Sequence, residues 1–234
     1  MKFKIFTLFP NSIKSYLNSS IPSRAEKSGK AEYQFIDIRD YSMDKHKKVD
    51  DYEYGGDAGL LMKYEPLAKA LTDNNSLEDL VVYMSPQGVK WSQNLAETFS
   101  TKYKSISIIA GHYKGIDKRI IDEFVDIEIS IGDYILSGGE LGAVVVIDSI
   151  VRLVDGVINN IESAEDDSIS FEGLLDCDRY TKPYQINDRK VIDVLIDGKH
   201  ENKSAWQLKN RYNKTKNRRP DLLNKHLKDI IKEK

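Results

Sequence analysis

The sequence has 234 residues, of which 40% are hydrophobic and 31% are charged, with a formal net charge of −2. A chain of this length and composition can bury a stable core without disulfides or structural metals. It suits one substantial domain or a domain with a smaller appendage. The single cysteine, Cys177, excludes an internal disulfide, and no apolar run is long enough for an export signal or a membrane span, so we expect a cytoplasmic protein that makes no membrane contact.

Two strands and two helices are predicted at the start of the chain. Residues 2–8 alternate between apolar and polar side chains and predict a strand, and residues 10–17 predict a short helix. A second short helix is expected after Pro22, and residues 33–38 predict the second strand. A strand–helix–strand opening favours a parallel sheet in an α/β protein.

Residues 39–63 form a long segment that is rich in charged residues and glycine and has no clear periodicity. A loop of this length in a compact domain is typically functional, and the alternative is a disordered surface insert. His46 is weak evidence for a metal site, because no second histidine lies near it in the sequence. A helix is predicted next, from Glu65 to about Leu71, with Pro66 in its first turn.

Three further strands each end in a loop that contains glycine. The strands are predicted at residues 80–84, 106–110 and 127–131, and their loops at residues 85–88, 111–117 and 132–139. The first loop indicates a turn, and Ser92 is expected to cap a helix that extends to Phe99. Because ligands of open parallel sheets lie at the carboxyl ends of the strands, the three loops together predict a binding site. The ligand stays open at this point, since the sequence has neither a GxGxxG fingerprint nor a P-loop.

A mostly apolar helix is predicted at residues 140–153. Five apolar residues are expected on one of its faces: Leu141, Val144, Ile147, Val151 and Val154. Asp148 and Arg152 are four residues apart, so they can pair on the surface of this helix. The next segment, residues 159–170, is polar and acidic and predicts an interdomain linker, in which the pattern alone makes Asp167 one more solvated charge.

The remainder of the chain is predicted to be mainly helical and basic. Ordered structure is expected again from Gly173, and residues 191–196 predict a short strand or an extended segment. A helix is expected after His200; it should end near Arg218, where another helix begins. Residues 199–234 contain twelve Lys or Arg and four Asp or Glu, a net charge of +8, so the rest of the chain carries −10. This asymmetry indicates contact with phosphates or, as the alternative, a solvated helical tail.

The order and spacing of several short motifs resemble a known family over nearly the whole chain. The matching pieces are residues 2–10, 50–51, 54–56, 62–63, 83–88, 111, 113, 115–117, 131–141, 167–168, 173–176 and 218–222. On these residues the chain resembles the bacterial tRNA (guanine-N1)-methyltransferases of the SPOUT superfamily, which modify guanosine 37 beside the anticodon. Each motif alone is common, whereas together they are specific.

The resemblance implies an α/β fold with a knotted SPOUT-type parallel sheet, flanking helices and a small, mainly helical C-terminal domain. The deep trefoil knot would be formed around residues 85–88, 111–115 and 131–139. Residues 1–158 would be the SPOUT methyltransferase domain with the cofactor-binding knot, residues 159–170 a flexible linker, and residues 171–234 a basic tRNA-binding domain. The family acts as a homodimer, in which one protomer's knot and the other's C-terminal domain share the tRNA site.

The resemblance also implies the cofactor and the site residues. The methyl donor would be S-adenosyl-L-methionine, and Mg²⁺ is expected to assist the transfer step. Asp167 would act as the general base at guanine N1, and Arg152 would stabilise the negative charge that spreads to O6. The cofactor is expected at the following residues: Tyr83, Met84, Ser85, Pro86, Gly111, Tyr113, Gly115, Ile131, Gly132, Asp133, Tyr134, Ile135, Leu136, Gly138 and Gly139.

Several residues depart from the family pattern. His112 and Lys114 stand where the family usually has arginine and glutamate, so the charge beside the cofactor is reversed at residue 114. Asp57 and Ala58 replace a glycine and a proline, and one interpretation is that Asp57 restores the lost negative charge. Arg179 replaces a histidine. Two alternatives therefore stay open: another SPOUT RNA methyltransferase with a different target nucleotide, and a catalytically impaired tRNA-binding homologue.

Overall fold

The computed structural model of the protein describes residues 1–56, 58–158, 168–169, 173–196 and 200–223. The chain divides into two compact units, Met1–Asn159 and Asn160–Lys234. Within the described part of the chain, no helix is long and apolar enough to cross a membrane.

The first unit is built on a five-stranded sheet whose strands are all parallel, in the order β2–β1–β6–β5–β7. The strands are β1 (Lys2–Thr7), β2 (Glu32–Asp37), β5 (Leu80–Lys90), β6 (Ser105–Ile109) and β7 (Ile127–Ser130). β1 is an interior strand and is buried on both faces: Phe3 and Ile5 belong to one core, and Phe6 belongs to the other. A strand covered on both faces is typical of parallel sheets. The predicted α/β class with a parallel sheet is confirmed.

Within the described residues of the first unit, six α-helices flank this sheet. They are α1 (Pro10–Leu17), α2 (Ser20–Lys27), α3 (Tyr64–Asp73), α4 (Gln93–Lys102), α5 (Lys118–Phe124) and α6 (Glu140–Val151). The side chain of Ser92 caps α4 as predicted, by accepting the N–H of Leu95 at 3.4 Å. α5 was not predicted, because it has only seven residues and directly follows the second glycine-bearing loop, residues 111–117. The carboxylate of Asp117 caps this helix by accepting the N–H of Arg119 at 2.9 Å.

The expectation of an irregular segment at residues 39–63 is wrong in part. The segment contains a 3₁₀ helix that begins one residue earlier (Ile38–Tyr41) and an antiparallel hairpin of β3 (Asp50–Tyr52) and β4 (Leu60–Met62). The hairpin is fixed by a distant part of the chain, since the N–H of the buried Met62 donates to the carbonyl of Gly115 at 3.0 Å. Such long-range pairing leaves no local periodicity in the sequence.

The prediction of a turn at residues 85–88 is also wrong, because these residues lie inside β5. Ile129 of β7 is opposite both Met84 and Val89, so the intervening residues form an irregularity in the strand. Gly88 makes this approach possible: a Cβ at residue 88 would lie 2.3 Å from the carbonyl carbon of Glu128.

The buried face of α6 matches the predicted one in part, since Ile147 and Val151 are fully buried and Val144 and Val154 pack against the core. Leu141 is 63% exposed, whereas Ala143 and Val146 are fully buried together with Ile147. The small residues allow close packing on the sheet, since a Cβ at Gly142 would lie 2.9 Å from Cε of Met84. The helix therefore packs through the side that carries its smallest residues.

The second unit is centred on one long helix, α7 (His200–Arg218), and a two-stranded hairpin of β8 (Gln185–Ile186) and β9 (Arg189–Lys190). The backbone leaves the helical conformation at Arg219 and is helical again at residues 220–223, as predicted. The expected strand or extended segment at residues 191–196 is instead a 3₁₀ turn, Asp193–Leu195.

Candidate functional site

A cavity of about 330 Å³ lies beside the irregularity of β5 and at the ends of β6 and β7. Its lining comes from β5, from the ends of β6 and β7 with the loops that follow them, and from one residue of α6: residues 83–86, 111–115, 129–132, 134–139 and Gly142. The two predicted loops after β6 and β7 therefore meet around one space, and the third side is a part of β5 and not a loop. Its volume is within the range of small-molecule sites, about 300–1,000 Å³.

Nearly all residues predicted to bind a cofactor line this cavity. The exception is Asp133, whose side chain is 91% exposed and lies 3.4 Å from Nζ of Lys90. Six lining residues were not among the predicted ones: His112, Lys114, Ile129, Ser130, Ser137 and Gly142. His112 and Lys114 are adjacent to predicted residues in the same loop, whereas Gly142 lies inside a helix and carries no sequence signal of its own.

Backbone contacts hold two of the loops together. The N–H of Gly139 donates to the carbonyl of Gly111 at 2.8 Å, and His112 and Gly138 form an antiparallel bridge. A Cβ at Gly139 would lie 2.8 Å from Cα of Ala110, so only glycine permits this approach. The exit of β6 is thus in direct backbone contact with the start of α6.

A buried carboxylate joins three elements at the cavity wall. Glu140, the first residue of α6, accepts the hydroxyl of Thr7 on one oxygen at 2.6 Å, and its other oxygen lies 2.9 Å from Nε2 of His112. Glu140 is 8% exposed, so both oxygens are bonded away from solvent. The end of β1, the loop after β6 and the start of α6 are therefore fixed relative to one another.

Tyr83 forms an uncharged part of the wall. Burial raises the pKa of its hydroxyl to about 12, with a further contribution from the charge of Glu128. The side chain is consequently a neutral phenol at any physiological pH. It also limits the space at Gly111, where a Cβ would lie 3.0 Å from its ring.

Comparison with known proteins places this fold and cavity in one family. The family model for tRNA (Guanine-1)-methyltransferase TrmD matches residues 1–225. The chain belongs to this family. Relatives named tRNA (guanine-N(1)-)-methyltransferase include those of Lachnospira eligens (47% identical over 231 residues, 97% of either chain), Borrelia garinii subsp. bavariensis (46% over 230 residues, 98% of this chain and 96% of the relative) and Mycoplasma capricolum subsp. capricolum (43% over 237 residues, 99% and 98%).

The tRNA (guanine-1)-methyltransferases use S-adenosylmethionine as methyl donor, and the cavity fits a ligand of that kind. Apolar side chains such as Met84, Ile135 and Leu136 line it, which suits a nucleoside base. The wall also contains glycine at several positions, so backbone groups are accessible to a ligand's polar atoms.

Lys114, which departs from the family pattern, is neutralised by a neighbouring acid. Its Nζ lies 2.7 Å from Oε1 of Glu53, and its backbone N–H donates to the carbonyl of Leu60 at 3.0 Å. Glu53 follows β3 in the hairpin, so this ion pair and the backbone bond attach the hairpin to the cavity loop. Asp57, which the sequence suggested as the compensating charge, lies outside the described residues.

The two residues predicted to be catalytic are not brought together within the described structure. Arg152 follows the last residue of α6, where its N–H donates to the carbonyl of Asp148 at 3.2 Å, and it is not among the residues that line the cavity. Asp167 lies outside the described residues. The carboxylate of Asp148 is adjacent to Tyr16, whose pKa it raises by its charge, and its pairing with Arg152 stays a prediction.

Arg179, the third departure, contacts a carboxylate in the second unit. Its Nε donates to Asp176 at 3.0 Å, and Nη2 of Arg211 on α7 lies 2.8 Å from the same carboxylate. Burial alone would raise the pKa of Asp176, but the hydrogen bonds from Arg179 and from the N–H of Cys177 hold it below its ordinary value. Arg179 therefore braces Asp176 within its own loop, and Arg211 connects that loop to α7.

Proposed function

We propose that this chain transfers the methyl group of S-adenosylmethionine to N1 of guanosine 37 in tRNA. The observation that carries the proposal is the family match over residues 1–225 in a chain where part of β5 and the glycine-bearing exits of β6 and β7 surround one ligand-sized cavity. Position 37 comes from the resemblance of the sequence motifs. When bound, the cofactor supplies an electrophilic methyl group on its sulfonium.

The chemistry of guanine N1 defines what the protein must do. N1 carries a proton and is a poor nucleophile, so a base has to remove the proton while a cation stabilises the charge that develops on O6. We propose Asp167 for the first role and Arg152 for the second. The target base would have to leave the stack of the anticodon loop to reach these groups.

We also propose a homodimer whose two protomers complete each tRNA site. The support is a set of exposed apolar side chains on the loop after β7 and on the adjoining start of α6: Tyr134, Ile135, Leu136, Leu141 and Val145. Exposed apolar groups in one region are typical of protein interfaces. In such a dimer the acidic segment 159–170 of the second protomer would supply the general base to the cavity of the first.

The basic C-terminal region is proposed to bind the tRNA backbone. Residues 171–234 would form the tRNA-binding domain, and the net charge of +8 on residues 199–234 supports phosphate contacts whose affinity falls with salt. Mg²⁺ is proposed as an aid to transfer on the resemblance alone. Among the described residues, no group of three or more His, Cys, Asp or Glu side chains could hold a metal ion, and no step above depends on one.

The test is to incubate the full chain with S-adenosylmethionine labelled in its methyl group and with tRNA transcripts that carry guanosine 37. The expected product is N1-methylguanine at that nucleotide, with no label on matched transcripts that carry adenosine there. Label at another nucleotide or on a ribose would favour a different SPOUT methyltransferase. Bound but unmethylated tRNA would favour the impaired homologue, which the departures at Lys114 and Arg179 motivate.

A further inference from the structure

Three planar side chains in contact with one another form a column at the edge of the cavity. It consists of Phe9, Arg39 and His112, and is called the Phe9 stack below. The rings of Phe9 and His112 are 4.8 Å apart at 53°, and Cζ of Arg39 lies 5.2 Å from the centre of the Phe9 ring. Although it is contacted from two sides, Phe9 is still 45% exposed. An aromatic residue left this exposed in a packed column offers a surface for another planar group.

Hydrogen bonds and ion pairs hold the backbone of Phe9 and the side chains of Arg39 and His112. The N–H of Phe9 donates to the hydroxyl of Thr7 at 2.9 Å. The guanidinium of Arg39 donates to the carbonyl of Leu8 and lies 3.8 Å from a carboxylate oxygen of Asp37. A partner that binds here therefore meets side chains that are already ordered, which lowers the entropic cost of association.

The position of the Phe9 stack relates it to the cavity. Phe9 follows β1, Arg39 follows β2 and His112 follows β6, so the column crosses the carboxyl edge of the sheet. His112 also lines the cavity, so one end of the column is part of the cavity wall, and the exposed ring of Phe9 lies next to it. A molecule that enters the cavity with one planar group can place a neighbouring planar group on Phe9.

We propose that the Phe9 stack receives an unpaired base of the substrate tRNA, next to the guanine that is methylated. The inference rests on the proposed function, because it takes RNA to be the molecule that reaches the cavity. Aromatic rings and guanidinium groups are what proteins use to stack unpaired bases, and stacking tolerates any base. The charge of Arg39 suits the phosphate of the same nucleotide better than it suits the apolar surface of a second copy of the chain.

The test compares Phe9→Leu, which keeps an apolar side chain but removes the ring, with Phe9→Tyr, which keeps the ring. We expect Phe9→Leu to weaken tRNA binding about tenfold, the order of one lost base–aromatic stack. Its affinity for S-adenosylmethionine should stay within about twofold of the wild type, and Phe9→Tyr should bind tRNA normally. With 2-aminopurine on either side of the target guanosine, binding should quench its fluorescence in the wild type and in Phe9→Tyr but not in Phe9→Leu.

Three results would overturn the inference. The first is that Phe9→Leu leaves both the tRNA affinity and the quenching unchanged. The second is that Phe9→Leu weakens S-adenosylmethionine binding as much as tRNA binding, which would make Phe9 a support of the cavity. The third is that Phe9→Leu changes the oligomeric state in light scattering, which would make a second copy of the chain the occupant. Methyl mapping of the wild type separates this inference from the proposed function. If the wild type fails to methylate N1 but shows the quenching pattern, the proposed function is refuted and the inference that a base stacks on Phe9 stands.

Discussion

Nε2 of His112 lies 2.9 Å from the carboxylate of Glu140, across the contact between the loop after β6 and the first turn of α6. The two residues are 28 positions apart in the sequence, and Thr7 of β1 bonds the other oxygen of the same carboxylate. The buried carboxylate of Glu140 connects the end of β1, the loop after β6 and the start of α6. This cluster therefore determines how rigidly two sides of the cavity are held.

Replacement of Glu140 should loosen the cavity. Glu140→Ala would leave the hydroxyl of Thr7 and the imidazole of His112 without this acceptor, so we expect the free energy of unfolding to fall by about 1–3 kcal/mol. Glu140→Gln keeps one carbonyl oxygen as an acceptor, so its free energy of unfolding should fall by less than that of Glu140→Ala. Urea denaturation with and without S-adenosylmethionine measures both effects. Equal stability of wild type and Glu140→Ala would show that the cluster does not hold the exits together.

Gly88→Ala should be among the most damaging small substitutions in the chain. The new Cβ would lie 2.3 Å from the backbone of Glu128, which cannot move without separating β5 from β7, so we expect a loss of about 3 kcal/mol or more. Gly29→Ala is the matched control: its φ of +71° imposes strain of about 1–2 kcal/mol, but no atom lies within 4 Å of the new Cβ. Thermal unfolding followed by circular dichroism compares them, and equal losses would refute the close approach at Gly88.

The ion pair of Lys114 with Glu53 should affect cofactor affinity through charge. Glu53→Gln leaves the positive charge of Lys114 less compensated near the sulfonium, so we expect binding of S-adenosylmethionine to weaken by roughly threefold, the scale of a partly exposed pair. The double variant Glu53→Gln, Lys114→Gln removes both charges and should restore most of the affinity. Calorimetry at low and high salt measures this. Additive losses in the double variant would contradict a charge effect.

Acid should destabilise the second unit through Asp176. Its folded pKa is below the ordinary value near 3.8, so its contribution to stability is present above that value and disappears as the pH falls through the folded pKa. Cys177 reports this opening, because its thiol is buried and is the only one in the chain. Reaction with dithiodipyridine should accelerate below about pH 4 in the wild type. In Asp176→Asn the thiol of Cys177 should react faster already at pH 7, and its rate should depend less on acid. In the exposed control Asp188→Asn it should react as in the wild type.

Loss of the proposed general base should affect the rate alone. Asp167→Ala is expected to lower the single-turnover rate of methyl transfer by about two orders of magnitude or more, while affinity for S-adenosylmethionine stays the same. Asp166→Ala removes a neighbouring acid of the same segment and should retain most of the rate. If the two variants lose the rate equally, the effect belongs to the charge of the segment and not to Asp167.

The sequence predicted what depends on local pattern. β1 was recognised from its apolar residues and α4 from the cap at Ser92, and the glycines at the strand exits located the cavity. Long-range contacts were not predicted. Each strand of the β3–β4 hairpin is only three residues long, and the hairpin is fixed by a hydrogen bond to Gly115, more than fifty residues from its centre in the sequence. The ion pair of Lys114 with Glu53 was missed for the same reason, since only the folded hairpin brings the two charges together.

We expect the cavity beside β5 and at the ends of β6 and β7 to bind the methyl donor. Titration calorimetry of the full chain with S-adenosylmethionine, followed by a crystal structure of the same mixture, measures this binding and locates the cofactor. One cofactor should bind per chain, in contact with residues 83–86, 111–115 and 131–139. Absence of binding, or a cofactor bound at any other place on the chain, would contradict this expectation.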